Sequence, residues 1–385
     1  MKKKILIIQH HRKFGGASKS ISEFILKLQN EFEFDVICPS GTTSDFFKNK
    51  KINIYKFVGI PSYDITEIGS YTGLRKILFI REIFYFFIFL LTIFKIKKKY
   101  DIIHLNDTNL IIIAPLLKFL FKANIICHVR TRVNINKLSA LIYFISKKYI
   151  DKFICIDKST FSTSPDKKKS IIIYNIFDDK KNKKKYSKRN KKKFKIGFLG
   201  SLDFHKGLDF YFDCISEINK TTNNFTFIIG GSLSVPNKFL LNILEIFGIK
   251  KNFNRIYYNF KNKNYKNVKF LNSVNNLNKF YKQIDLICFP SRMNALGRPI
   301  IEAASYGIPS LVCLDKYFND TIIDKKTGYV LKFGKKKSFI KKLYSLSKNK
   351  KKLYQLGINA KKNYYLRHNL IKNSNKLSNV YSSII

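Results

Sequence analysis

The stretch Phe289-Pro290-Ser291-Arg292-Met293-Asn294-Ala295-Leu296-Gly297-Arg298-Pro299-Ile300-Ile301-Glu302-Ala303-Ala304-Ser305-Tyr306-Gly307-Ile308-Pro309-Ser310 reads as the end of a strand, a polar loop and a helix. The residues before it, Leu286 to Phe289, are wholly apolar, as a strand covered on both faces must be. Pro299 suits the first turn of a helix, where its missing N–H would be unpaired anyway, and Gly307 followed by Pro309 stops that helix after Tyr306. The loop between them carries polar side chains at a strand's carboxyl end, the place where open parallel sheets gather ligand-binding groups.

Outward from this stretch the alternation repeats. Strands are expected at Phe194 to Leu199, Phe225 to Ile229 and Val268 to Leu271, with helices at Gly207 to Lys220, Leu277 to Gln283 and Pro299 to Tyr306. Lys250 to Lys266, rich in Lys, Asn and Tyr, is expected to be an enlarged loop. Nearer the N-terminus, strands are expected at Ile5 to Ile8, Phe34 to Cys38, Ile54 to Phe57, Asp101 to Leu105, Asn124 to His128, Lys152 to Ile156 and Ile171 to Tyr174. Helical segments at Ser18 to Asn30, Leu74 to Phe94, Leu110 to Phe121 and Lys137 to Lys148 supply crossovers long enough for parallel pairing. The polar, lysine-rich run Asp178 to Lys193 divides the two series as a linker by composition. The expected organisation is therefore a domain over 1–177, a basic hinge over 178–193, a second domain over 194–352 and C-terminal helices over 353–385 that return towards the first domain.

The chain has 385 residues, long enough for two cores, and its net charge of +48 comes from 73 Lys and Arg against 25 Asp and Glu. Such a balance fits nucleic acid, an anionic membrane or sugar-nucleotide phosphates, while the even scatter of Lys among Ile and Asn is also what AT-rich coding produces. The six cysteines sit apart in apolar runs with no metal-ligand spacing, so reduced thiols, no metal and a cytoplasmic protein without a leader ahead of the first strand are expected. The apolar block Ile83 to Phe94 is too short to span a bilayer. Its basic flank at Lys95 and Lys97 to Lys99 leaves burial between layers and membrane-surface docking both open.

Four loops at strand ends carry the candidate chemistry. His10 to Ser18 contains Gly15-Gly16 ahead of a helix start, which would let backbone approach an anion. It lacks the spacing of a P-loop. Gly200 to Gly207 places Lys206 at the next helix start, an arrangement suited to a pyrophosphate. The third is the stretch that opens this subsection, and the fourth is Cys127-His128-Val129-Arg130-Thr131-Arg132.

Together with Gly15-Gly16, Tyr174-Asn175, Lys206-Gly207 and Thr327 to Leu331, the order and spacing within 289–310 resemble the family 4 retaining glycosyltransferases of the GT-B fold. Their signature runs Pro-Ser, an acidic residue, a Gly-Leu-Pro-like turn, Glu-Ala and Gly-x-Pro. The resemblance implies an α/β protein of two facing Rossmann-like, doubly wound parallel-sheet domains with a cleft between them. It further implies a nucleotide diphosphate sugar as donor substrate, no cofactor, and a glycan or lipid-linked acceptor. The expected setting is cell-surface polysaccharide, lipopolysaccharide or glycolipid synthesis, in the cytoplasm and peripherally at the inner membrane face.

By the same resemblance Glu302 would hold the donor ribose, because a carboxylate accepts from two hydroxyls. Lys206 would meet the diphosphate, and Gly16, Ser201, Gly297 and Arg298 would complete donor binding. His128 would face the donor sugar, and Lys206 and Asn294 would share the catalytic role. Two positions depart from the pattern: Asn294 replaces the first acidic residue, and Ser201 stands where a basic residue is expected. Arg298 was the candidate to replace that charge, and Arg130 and Arg132 the candidates for a phosphate-bearing acceptor. A sugar-nucleotide epimerase shares the expected fold and remains the nearest alternative. A nucleic-acid-binding protein would explain the charge, but no recognition-helix, RNA-sheet or zinc pattern is present, so no nucleic-acid partner is expected.

Overall fold

Each apolar run is followed by a crossover, and the chain folds accordingly into sheets whose strands are all parallel. The computed structural model describes residues 2–67, 78–134, 137–178, 193–233, 253–272, 274 and 276–385. Most of the expected hinge, residues 179–192, lies outside them. The chain divides into two compact units, residues 1–177 with 369–385, and residues 178–368.

The first unit holds β1 (Lys3–Ile8), β2 (Phe32–Pro39), β3 (Asn53–Phe57), β4 (Ile102–Leu105), β5 (Asn124–Val129), β6 (Lys152–Cys155) and β7 (Ser170–Ile172), ordered β3-β2-β1-β4-β5-β6-β7. Alternate residues feed two cores. Ile5 and Ile7 pack with Phe24, Ile25 and Leu28 of the helix Gly16–Leu28 and with Leu377 and Tyr381 of the helix Leu370–Ser383. Leu6 and Ile8 face the other way, towards Phe89 and Ile93 of the helix Leu78–Ile93, Leu117 of the helix Ala114–Phe121 and Tyr143 of the helix Lys137–Ser146. Because both faces are covered, the strands carry no polar alternation.

The second unit holds β8 (Phe194–Leu199), β9 (Phe225–Gly230), β10 (Val268–Leu271), β11 (Leu286–Phe289), β12 (Ser310–Cys313) and β13 (Gly328–Leu331), ordered β10-β9-β8-β11-β12-β13. In each sheet the order reverses once, between β1 and β4 and between β8 and β11. At such a switch point the two flanking loops diverge and leave a crevice at the strands' carboxyl ends.

Two expectations need correcting. Residues 253–261 form a helix rather than loop, because Tyr257 and Phe260 are buried and Phe260 stacks on Phe212 at 4.1 Å. The tail also divides later than 353. The helix Lys350–Arg367 sends Leu353 and Leu356 into the second core, and only 369–385 join the first unit.

Candidate functional site

In the second unit the loops after β8 and β11 flank the switch point and are tied together. Arg292 does most of this. Its guanidinium forms a bidentate pair with Asp209, donates to the Phe204 carbonyl at 2.8 Å and lies 3.7 Å over the Phe204 ring, and its backbone N–H donates to the His205 carbonyl at 3.0 Å. Gly207 closes the β8 loop at φ 69°, and a Cβ there would stand 1.6 Å from the Pro290 carbonyl oxygen. Only glycine supplies both that left-handed backbone and that approach.

Lys206 is thereby held against the β11 loop. Its Nζ lies 3.7 Å from Met293 Sδ and 5.5 Å from the centre of the Phe289 ring, and among the described residues it makes no ion pair. Burial pulls its ammonium below the usual lysine range, and Asp203 pulls the other way. Asp203 also caps the turn, accepting from the Lys206 N–H at 3.0 Å and from Ser201 Oγ at 2.5 Å.

Glu302 lies in the helix Arg298–Ser305, whose N-cap is Gly297, and its carboxylate is buried. Tyr281 Oη donates to Oε2 at 2.8 Å and Arg298 Nε pairs with Oε1 at 3.3 Å. Each carboxylate oxygen has two lone pairs, so these partners fix the group and leave acceptor capacity. Arg298 is thus engaged by Glu302, which corrects its assignment to the diphosphate. Asn294 bridges loops, its Oδ1 accepting from the backbone of Asp315 and Lys316 at 3.2 and 2.9 Å.

In the first unit a polar cluster gathers beyond β1, β4 and β5. Arg130 donates to the Asn106 carbonyl at 2.7 Å, to Asn106 Oδ1 and to Asn175 Oδ1, which also accepts from Ser20 Oγ at 2.6 Å. Arg132 pairs with Glu67 at 3.0 Å and donates to Ser162 Oγ at 3.0 Å. Both arginines are buried and spent on neighbours, so their assignment to an acceptor is corrected.

His128 is corrected too. It is 0% exposed, and its side chain lies on the sheet face covered by the helices Gly16–Leu28 and Leu370–Ser383. Its Nδ1 lies 2.7 Å from His104 Nε2, and His104 Nδ1 lies 2.7 Å from Tyr381 Oη. Its Nε2 has no partner. Burial, reinforced by Arg130, holds both imidazoles far below the ordinary range, His104 at about 3.

Sequence reasoning missed a neighbouring group. His10, His11 and Asp107 bring their ligand atoms within 4.8 Å of one another. Burial lowers both histidines; His11 and Arg81 add to the effect at His10, while at His11 Asp107 opposes it and Arg130 adds to it. Gly16 opens the adjoining helix, preceded by Gly15 at φ −102°. A Cβ on Gly15 would meet only the Lys13 carbonyl, at 3.8 Å, so the fold itself does not require a glycine there.

Residues 179–363 match the family model described as glycosyl transferases group 1, a span that runs almost the length of the second unit. Among solved structures, Anabaena HepE in complex with UDP and glucose aligns over 99% of this chain and 100% of its own, with a TM-score of 0.74 at 15% identity. A glycosyltransferase from Rickettsia africae ESF-5 aligns over 100% and 98%, at 0.69 and 14%. S. aureus TarM, in complex with fondaparinux, α-GlcNAc-glycerol and UDP, aligns over 98% and 99%, at 0.68 and 13%. At these identities the likeness is one of fold: both units have the parallel-sheet architecture of GT-B glycosyltransferases. No curated protein sequence matches the chain.

Proposed function

We propose that this protein is a retaining glycosyltransferase that moves a hexosyl group from a nucleotide diphosphate sugar to a glycan or lipid-linked acceptor in cell-surface glycan synthesis, in the cytoplasm. The observation that carries the reading is the second unit's switch point, where one unpaired ammonium and one buried, oriented carboxylate are presented by loops that Arg292 locks together. The group 1 match over 179–363 supports it independently.

In this reading Glu302 accepts the two ribose hydroxyls. The diphosphate lies along the helix start at Gly297 and against Lys206, with Ser201 alongside. The bond between the anomeric carbon and the phosphate oxygen breaks as the acceptor oxygen bonds to that carbon, and the acceptor's proton leaves with the phosphate. Negative charge grows on the leaving group while the sugar becomes cationic, so a fixed positive charge lowers the barrier. Lys206 and the helix start supply that charge without a metal or cofactor.

The test is a panel of radiolabelled nucleotide sugars incubated with the chain, with and without membrane extract as acceptor. Transfer with retained anomeric configuration is expected, and Lys206→Ala should slow it about a hundredfold or more, as loss of a charge-assisted contact to the transition state implies. Wild-type kinetics in that variant would remove Lys206 from the mechanism. Epimerised donor formed without acceptor would identify the alternative enzyme.

A further inference from the structure

The helix Leu78–Ile93 buries Phe89 and Ile93 against the first unit's sheet yet turns a second apolar stripe outward. Ile80, Ile83, Phe84, Phe87, Leu91 and, just past the end, Phe94 are all exposed, Leu91 at 72%. Their spacing places them along one side of the helix. The helices Ala114–Phe121 and Lys137–Ser146 pack on the same sheet face. They add exposed Phe119 at 79%, with Leu141, Phe144 and Ile145. An exposed apolar stripe of this kind, with further exposed apolar residues on the helices of the same sheet face, marks a partner.

The charges around it indicate which partner. Glu82 is the one acidic residue in these three helices, and it is buried and paired with Arg81. Lys95, Lys97, Lys99, Lys122 and Lys148 are exposed beside the apolar residues, and Lys148 lies 4.9 Å over the Phe144 ring. No described helix is long and apolar enough to cross a membrane. A second copy of the chain would bring +48 against +48, whereas an anionic lipid surface satisfies both the apolar stripe and its basic surround.

We propose that this face docks on an anionic phospholipid bilayer, with Phe84, Phe87 and Leu91 entering the headgroup–acyl boundary and the lysines resting on lipid phosphates. The inference stands on the surface alone and does not depend on the reaction. It would bring a lipid-linked acceptor to the unit on which the docking face lies.

The experiment is co-sedimentation of the full chain with vesicles of phosphatidylcholine alone or with about 30 mol % phosphatidylglycerol, a composition that gives the surface its negative potential. Binding to the anionic vesicles alone is expected, weakening as salt rises. Phe84→Ser with Phe87→Ser and Leu91→Ser should weaken it at least about tenfold through lost apolar insertion. Lys95→Gln with Lys97→Gln and Lys99→Gln should weaken it by about fivefold per lysine in contact and flatten the salt dependence. All six side chains are exposed, so the fold should be kept, which circular dichroism checks. Equal binding to neutral vesicles, or no vesicle binding together with a dimer that the Ser variant converts to monomer, would overturn the proposal. Because the readout needs no turnover, failure of the transferase reading leaves it intact.

Discussion

Acidification should loosen the first unit through two buried imidazoles. His104 and His128 are fully buried, joined to each other and to Tyr381, and held neutral by burial and by Arg130. Their folded pKa values lie below the unfolded value of 6.5, that of His104 at about 3. Between those limits the unfolded chain binds protons that the folded chain refuses, so stability is at its full value above pH 6.5 and falls as pH drops. Each group contributes about 1.4 kcal/mol per pH unit. From pH 7 to pH 5 His104 therefore costs about 2 kcal/mol, a sizeable share of a typical domain stability of roughly 5–15 kcal/mol, and His128 acts in the same direction. Since the two units can open separately, the assay is amide hydrogen exchange of β4 and β5 across that pH range, in the wild type and in His104→Gln with His128→Gln. The wild type should lose protection more steeply, by at least about one decade more over the interval. Should the variant fail to fold, imidazole titration by NMR in the wild type serves instead, with His104 expected to stay neutral at pH 5 and His128 to titrate well below the ordinary imidazole range. Parallel protection curves, or a His128 titration near 6.5, would refute the reasoning.

Two further predictions concern the binding groups. Glu302→Gln leaves Arg298 without the carboxylate it pairs with in a buried setting, so urea unfolding should show a loss of about 3 kcal/mol, and the variant should bind nucleoside diphosphate more weakly in calorimetry. Gly15→Ala meets open space at an ordinary backbone angle, so its melting temperature should match the wild type within about 2 °C while transfer slows at least about tenfold if that turn approaches substrate. Equal transfer rates would remove the turn from the site.

Much of the fold was legible because fully buried parallel strands leave unmistakable apolar runs, and the β8, β10 and β11 boundaries follow those runs closely. Residues 253–261 hid because their buried residues, Tyr257 and Phe260, stand among Asn, Arg and Lys, and tyrosine reads as polar until it is seen buried. Lys206 and Glu302 stand where loop position and the resemblance put them, at the ends of β8 and β11, without needing a long-range partner to be found. Arg292 was not legible, since its partner Asp209 lies 83 residues earlier and only the fold brings them together. His128 misled for a related reason. A histidine near a strand end can face the open edge or the covered face, and this one meets His104, which is itself bonded to Tyr381 of the last described helix.

The charges of the second unit's site explain why a single lysine can matter in a chain with 73 basic residues. Arg292 is neutralised by Asp209 and Arg298 by Glu302, so both guanidinium groups shape the walls without adding a bare charge. Lys206 lies against a thioether and an aromatic ring, makes no ion pair among the described residues, and burial already strains its protonated form, with Asp203 offsetting part of that. An arriving diphosphate would relieve that strain, and the relief grows as negative charge moves onto the leaving group. A unit charge at about 4 Å in a site of effective dielectric near 20 is worth about 4 kcal/mol, whereas the many exposed lysines are screened beyond about 10 Å by ordinary salt. Bulk basicity can gather anions, but a desolvated ammonium responds to where charge develops, and in the proposed reaction that difference would separate binding a sugar nucleotide from breaking it.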